Sequence, residues 1–246
     1  MPGVGKSTAA RRVARRFDLW FHAIDARTYA HAEAMDVPAL RMTPDELWLD
    51  RTPGQLADDF EAESRERFAL IVADLEALPD DRAPVVLEGP QVRPELVDGP
   101  ALFVAAAPAL QNELLRARGS FAYSATSDPE RALANRFARD ELLAERLRAQ
   151  ADVAEVTRVE ETERLVEAFV REHAAEWICA ADHGDVAARR RNENDRHIDQ
   201  WRRYSAVEPR ASEGTMELAC ECGRAGCSEV VSVRLEQTTS RPLLAH

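Results

Sequence analysis

The residues with the most chemistry in them stand at the start of the chain, Gly3-Val4-Gly5-Lys6-Ser7-Thr8. Glycines let successive backbone N–H groups turn inward around an anion, and a lysine adds a point charge beside them. A serine hydroxyl can ligate a divalent cation held by that anion. A helix starting here would aim its positive end at the same place. The run matches the second half of the phosphate-loop pattern G-x-x-x-x-G-K-[ST]. A chance Gly-Lys-Ser turn is the competing reading. The first glycine of the pattern would fall one position before Met1, and the strand that feeds such a loop would precede it as well. The expectation is therefore a chain that starts late, through a misassigned start codon or a truncation.

A second constellation lies near the other end. Cys220-Glu221-Cys222-Gly223-Arg224-Ala225-Gly226-Cys227 reads C-x-C-x4-C. Thiolates this close, separated by glycines, can wrap one soft cation, usually zinc. A tetrahedral site needs a fourth ligand. Cys179, His183, His197 and His246 are candidates, and no spacing selects among them. Three reduced thiols in a turn is the alternative. Between the two constellations, Asp25 and Glu88 each end an apolar run, Leu19–Ile24 and Pro84–Leu87. An acid ending a buried strand needs a partner. Arg136 and Arg139 are spaced to share a helix face, where two guanidinium groups could clamp a phosphate or pair with neighbouring acids. Arg116 and Arg118 are weaker candidates, and His22 and His31 flank Asp25.

The elements that must position these groups follow from periodicity. A helix is predicted over Thr8–Phe17 and strands over Leu19–Ile24, Pro84–Glu88, Leu102–Ala106 and Asp152–Val159. Thr43-Pro44-Asp45-Glu46 reads as a capping box, with Met42 and Leu47 able to staple it. Helical spacing of apolar residues predicts long helices over Gln55–Leu78 and Glu161–Trp177, and Ser127-Asp128-Pro129-Glu130 caps another running to Leu147. Short strands alternating with helices imply a parallel sheet covered on both faces. Asp185–Arg210, with Arg189, Arg190 and Arg191 in a row, reads as a solvated helix joining two units. An apolar alternation at Val231, Val233 and Leu235 reads as a strand after the cysteines. The expected organisation is a nucleotide-binding domain over 1–180, an arginine-rich helical linker over 181–210 and a small zinc-binding module over 211–246.

Composition limits the choices. Lys plus Arg is 32 against 44 for Asp plus Glu, a formal net charge of −12. An acidic chain is repelled by phosphate backbones, which disfavours nucleic acid as a partner of the whole molecule. No apolar run approaches the roughly 20 residues of a membrane span, so a membrane partner is not expected. Four cysteines, three of them within one short stretch, fit a reducing cytoplasm better than a disulfide scaffold.

In this order of phosphate loop, acid-ended strands and arginine-bearing helix, residues 1–180 resemble the small P-loop kinases that phosphorylate nucleosides, nucleotides and other metabolites. They look closest to actinobacterial "AAA family ATPase" sequences of that layout. The tail resembles a cysteine-rich module of actinobacterial proteins. The resemblance implies an αβα fold with a parallel sheet lacking its first strand, and an ATP- and Mg2+-dependent phosphotransferase acting on a small-molecule acceptor. Gly3, Val4, Gly5, Lys6, Ser7 and Thr8 would then bind ATP, with Lys6 on the β and γ phosphates. Ser7 and Glu88 would hold Mg2+, Glu88 through water, although a Glu stands where an Asp is usual, and Glu88 could instead orient the acceptor. Asp25 would accept a hydrogen bond from the acceptor hydroxyl, or else cap the next turn. Arg136 and Arg139 resemble lid arginines that stabilise charge during transfer. The helix bearing Arg65 and Arg67 could cover the acceptor. Cys220, Cys222 and Cys227 would hold Zn2+ in a structural role. The alternative is a nucleotide-binding regulatory protein whose cysteine-rich module contacts a partner or a nucleic acid, at which only the basic run of Arg189, Arg190 and Arg191 hints.

Overall fold

The computed structural model describes residues 4–35, 42–80, 83–117, 125–180, 182–207 and 214–245. In chain order the elements begin with α1 (Lys6–Arg16), β1 (Trp20–Ala23), α2 (Thr28–Ala34), α3 (Pro44–Trp48), α4 (Pro53–Glu76) and β2 (Val85–Glu88). Then come β3 (Phe103–Ala106), α5 (Pro108–Ala117), α6 (Pro129–Gln150), β4 (Val153–Val156) and α7 (Val159–His173). The last are α8 (Ala175–Ile178), α9 (Val186–Val207), β5 (Thr215–Ala219) and β6 (Val230–Arg234). Local chemistry sets several boundaries. Thr43 accepts from the Glu46 amide while the Glu46 side chain accepts from Thr43, so α3 begins on the expected capping box. Thr52 and Gln55 make the same reciprocal pair at the start of α4, with Pro53 just inside it. Asp128 caps α6, which runs unbroken to Gln150.

The chain is mixed α/β, and its parallel strands form two pairs rather than one sheet. β1 pairs with β2, with Trp20 opposite Val85 and Ala23 opposite Glu88. β3 pairs with β4, with Phe103 opposite Val153 and Ala106 opposite Val156. Among the described residues no strand joins the other edge of either pair, which is why the expected single sheet does not form. β5 and β6 are antiparallel.

Two compact units divide the chain. The first comprises Met1–Lys6, Met35–Ala73 and Pro90–Leu165. It contains β3 and β4, whose buried face joins Val4, Val104, Ala106 and Val156 in one apolar cluster. A second cluster there unites Trp48, Leu49, Leu56 and Ala132 from α3, α4 and α6. The other unit comprises Ser7–Ala34, Asp74–Gly89 and Val166–His246. In it Ile198 of α9 packs with Met216, Leu218 and Val233 of the β5–β6 pair and with Leu243.

That packing corrects the expectation of a solvated connecting helix. Arg189 and Arg190 are each 1 % exposed, and Glu193 and Asn194 are buried beside them. The polar face of α9 is inward because its charges find partners there. Glu193 pairs with Arg15, and Arg190 donates to the Arg15 carbonyl at 2.6 Å. The cysteine-bearing tail accordingly draws its core from α9 instead of standing as a separate appendage.

Candidate functional site

The Gly3–Thr8 run expected to hold phosphate lies at the entry to α1. Gly3 lies outside the described residues. Val4 is buried, and its carbonyl accepts the Thr162 hydroxyl at 2.7 Å. Gly5 has φ +72°, a left-handed conformation that glycine adopts without strain. A Cβ at Gly5 would also lie 2.7 Å from Val159 Cγ1. The helix begins on the next residue, Lys6, with no acid in its first turn, and Ser7 and Thr8 are exposed. A left-handed glycine is thus followed at once by a helix whose first turn holds no carboxylate.

In the second unit, Glu88 closes β2, whereas β1 stops at Ala23, two residues short of Asp25. Glu88 is the last residue of β2 opposite Ala23, and Asp25 sits in the short 3-10 turn, Ile24–Arg27, directly after β1. The carboxyl ends of parallel strands are where α/β proteins place ligands. The capping role at this turn belongs to the Asp25 carbonyl, which accepts the Thr28 hydroxyl at 3.0 Å, while Asp25 itself is exposed. Glu88 is half-buried and its charge acts on Arg11 of α1. Gly89 follows closely against Ile24, since a Cβ there would fall 2.6 Å from Ile24 Cβ.

His22 is buried and lies near Asp74, which Arg27 and His31 bond at 2.9 and 3.0 Å. Burial, reinforced by the Arg196 charge, pulls His22 down to about 3 and keeps it neutral. The histidines flanking Asp25 therefore serve an internal charge network.

Arg136 and Arg139 both converge on Asp140, at 2.9 and 2.5 Å, and both lie over the Trp48 ring. Asp140 is 1 % exposed, so the arginines are held by an acid on their own helix. Arg65 is exposed and pairs with Glu95 at 3.4 Å, whereas Arg67 is buried. The helix that carries Arg116 ends at Ala117, and Arg118 lies outside the described residues.

The cysteines come together. The sulfur atoms of Cys220, Cys222 and Cys227 all lie within 4.8 Å of one another. Zinc–thiolate bonds of about 2.3 Å imply sulfur separations of about 3.8 Å, so a small inward movement would seat an ion. These three residues could hold a metal ion. Burial opposes ionisation of Cys222, but the Arg224 main-chain and side-chain donors and hydrogen bonds from Cys227 and Cys220 outweigh it and pull that thiol down to about 6. Burial pushes Cys227 up instead. One thiolate present near neutral pH is the natural point of entry for a cation.

Among the described residues no fourth His, Cys, Asp or Glu joins the cluster. His183 has both ring nitrogens engaged, Nδ1 2.9 Å from Asp18 Oδ2 and Nε2 3.1 Å from the Trp177 carbonyl. His197 is pulled down to about 4 by burial and then by the Arg11 charge, and Cys179 is exposed. His246 lies outside the described residues; the amide of its neighbour Ala245 donates to Cys220 Sγ at 3.4 Å.

Two groups carry no sequence signal. Asp140 reads as one more helical acid. Asp18 sits in the turn after α1 with φ 54° and 1 % exposure, and gathers donors from distant parts of the chain.

No protein-family model, curated protein or solved structure matches this chain. Among the described residues no helix is long and apolar enough to cross a membrane.

Proposed function

We propose that this chain binds ATP with Mg2+ and transfers phosphate to a small-molecule acceptor, with a zinc ion in its cysteine cluster. The observation that carries the nucleotide reading is the left-handed Gly5 followed at once by a helix opening on Lys6. Lys6 and the first amides of α1 would hold the β and γ phosphates. Ser7 and Glu88 would serve Mg2+, and Asp25 would orient the acceptor hydroxyl. The exposed Asp25 just beyond β1 and the half-buried Glu88 ending the adjacent parallel β2 support those two roles. Arg136 and Arg139 would have to exchange Asp140 for phosphate to act as a clamp. Arg136, at 22 % side-chain exposure, is the more accessible of the pair. Zinc is the metal of choice because three thiolates form a soft donor set and zinc accepts tetrahedral geometry without electronic cost.

The test is calorimetry with Mg·ATP, followed by a pooled acceptor screen with labelled ATP. Binding and acceptor-stimulated transfer should both be lost in Lys6→Ala. Absence of any Mg·nucleotide association in the folded wild-type chain refutes the reading. Binding without acceptor-stimulated turnover favours the regulatory alternative. One contact gives that alternative weight, because the cysteine loop bonds Asp18, two residues beyond the helix that begins at Lys6.

A further inference from the structure

The loop that carries the three thiols is fastened at two glycines. Gly223, next to Cys222, has φ +72°, and a Cβ there would meet Ala187 Cβ at 3.4 Å, in the first turn of α9. Gly226, next to Cys227, has φ +66°, and a Cβ there would lie 3.4 Å from the carbonyl of Arg16, the last residue of α1. Its amide donates to both oxygens of Asp18, at 3.0 and 3.1 Å.

Asp18 is a hub rather than a surface acid. Besides Gly226 it accepts from Arg190 at 3.3 Å and faces His183 Nδ1 at 2.9 Å. Arg190 in turn donates to the Arg15 carbonyl at the end of α1. The Asp18 backbone sits in the left-handed region, which a non-glycine residue occupies at some cost unless its side chain is well held. One buried carboxylate therefore joins the end of α1, the start of α9 and the residue preceding a thiol ligand.

We propose that Asp18 is the positioning residue of the metal site. Ion binding at Cys220, Cys222 and Cys227 and the Asp18–Gly226 contact stabilise one another, so that metal occupancy tightens the C-terminal end of α1. This rests on the metal reading given under Proposed function. The physical reason is shared ordering. An ion that gathers the thiols fixes the backbone from Cys220 to Cys227, and that fixed backbone presents the Gly226 amide to Asp18. A carboxylate already holding Gly226 removes part of the ordering cost that the ion must otherwise meet. Coupling of this kind is reciprocal, so disturbing either partner weakens the other by the same factor.

The experiment is a zinc affinity measurement on the full chain by competition with a chelator of known affinity. The cadmium–thiolate charge-transfer band reports ligation directly. Asp18→Asn keeps the shape of the side chain but turns one acceptor into a donor. Gly226→Ala disturbs the same contact from the loop side and removes none of the buried charges, which covers the case in which Asp18→Asn fails to fold. Each substitution should weaken zinc binding about 10–100-fold, the usual effect of outer-shell changes, and the double variant should fall well short of the product of the two. Hydrogen exchange at the amides of Phe17, Asp18 and Leu19 should slow on zinc addition in the wild type and not in the variants.

A wild type that binds zinc while Gly226→Ala and any folded Asp18→Asn bind it equally well overturns the coupling alone. Exchange at those amides that ignores zinc in the wild type does the same. A wild type that ligates neither zinc nor cadmium overturns the metal reading and this inference with it.

Discussion

Asn194 offers the sharpest test of how the fold holds the cysteine loop. It is fully buried on α9, and its side chain makes three hydrogen bonds at the end of β5. Nδ2 donates to the Ala219 carbonyl at 2.9 Å and to Glu221 Oε1 at 2.8 Å, and Oδ1 accepts the Ala219 amide at 2.7 Å. Asn194→Ala removes all three and strands the Ala219 N–H where water does not reach, since Ala219 is 0 % exposed. A buried donor left unpaired costs about 1–3 kcal/mol, and a lost bond to a charged group adds about 1.5–3 kcal/mol. The expected loss is about 3–5 kcal/mol, a large share of the roughly 5–15 kcal/mol that typical domains possess. With a urea slope near 2 kcal/mol per molar, the midpoint should fall by about 2 M, read by far-ultraviolet circular dichroism with the slope unchanged.

Asn194→Asp separates this argument from simple loss of volume. Asp keeps an acceptor for the Ala219 amide but sets a second carboxylate against Glu221 and the Ala219 carbonyl. It should be worse than Ala at pH 7. Its folded-state pKa would be raised above the unfolded value, so it should recover as pH falls towards 5 and the introduced acid protonates. If both variants unfold within about 0.5 kcal/mol of the wild type, the three Asn194 hydrogen bonds are not what secures β5.

Two further outcomes follow from buried charge. His22 and His197 are held near 3 and 4, so both stay neutral in the folded chain while the unfolded chain protonates them below about 6.5. The unfolded state therefore binds more protons, and stability falls on acidification from about pH 6 to pH 4. The slope is about 1.4 kcal/mol per pH unit for each histidine. His22→Gln should flatten the urea-derived stability profile in that window by one proton's share, and an unchanged slope would contradict the assignment. In the other unit, Asp140→Asn leaves Arg136 and Arg139 beside each other without their common anion, which should cost about 3–5 kcal/mol in thermal or urea unfolding; a loss below about 1 kcal/mol would show that solvent replaces the carboxylate.

What the sequence determined by itself was local. The capping box at Thr43, the glycine turn before Lys6, the acid that ends β2 and the close approach of three thiols all arise from neighbours in the chain, where type and spacing suffice. Parallel pairing of short apolar runs was also legible, but the burial expected of β2 was not met, since Val85 is exposed and Val86, Leu87 and Glu88 are only partly buried. The tertiary structure decided the destination of the charges. Arg190 reads as solvated because hydropathy knows nothing of Asp18 or the Arg15 carbonyl, which lie far away in sequence. Arg136 and Arg139 read as open cations because nothing in their spacing reveals that Asp140 is buried between them. Whether four short strands make one sheet or two pairs is likewise non-local, since pairing depends on which edges meet. A buried charge is tolerated only where its partner is delivered to it, and that delivery is a property of the folded chain that no sequence window contains.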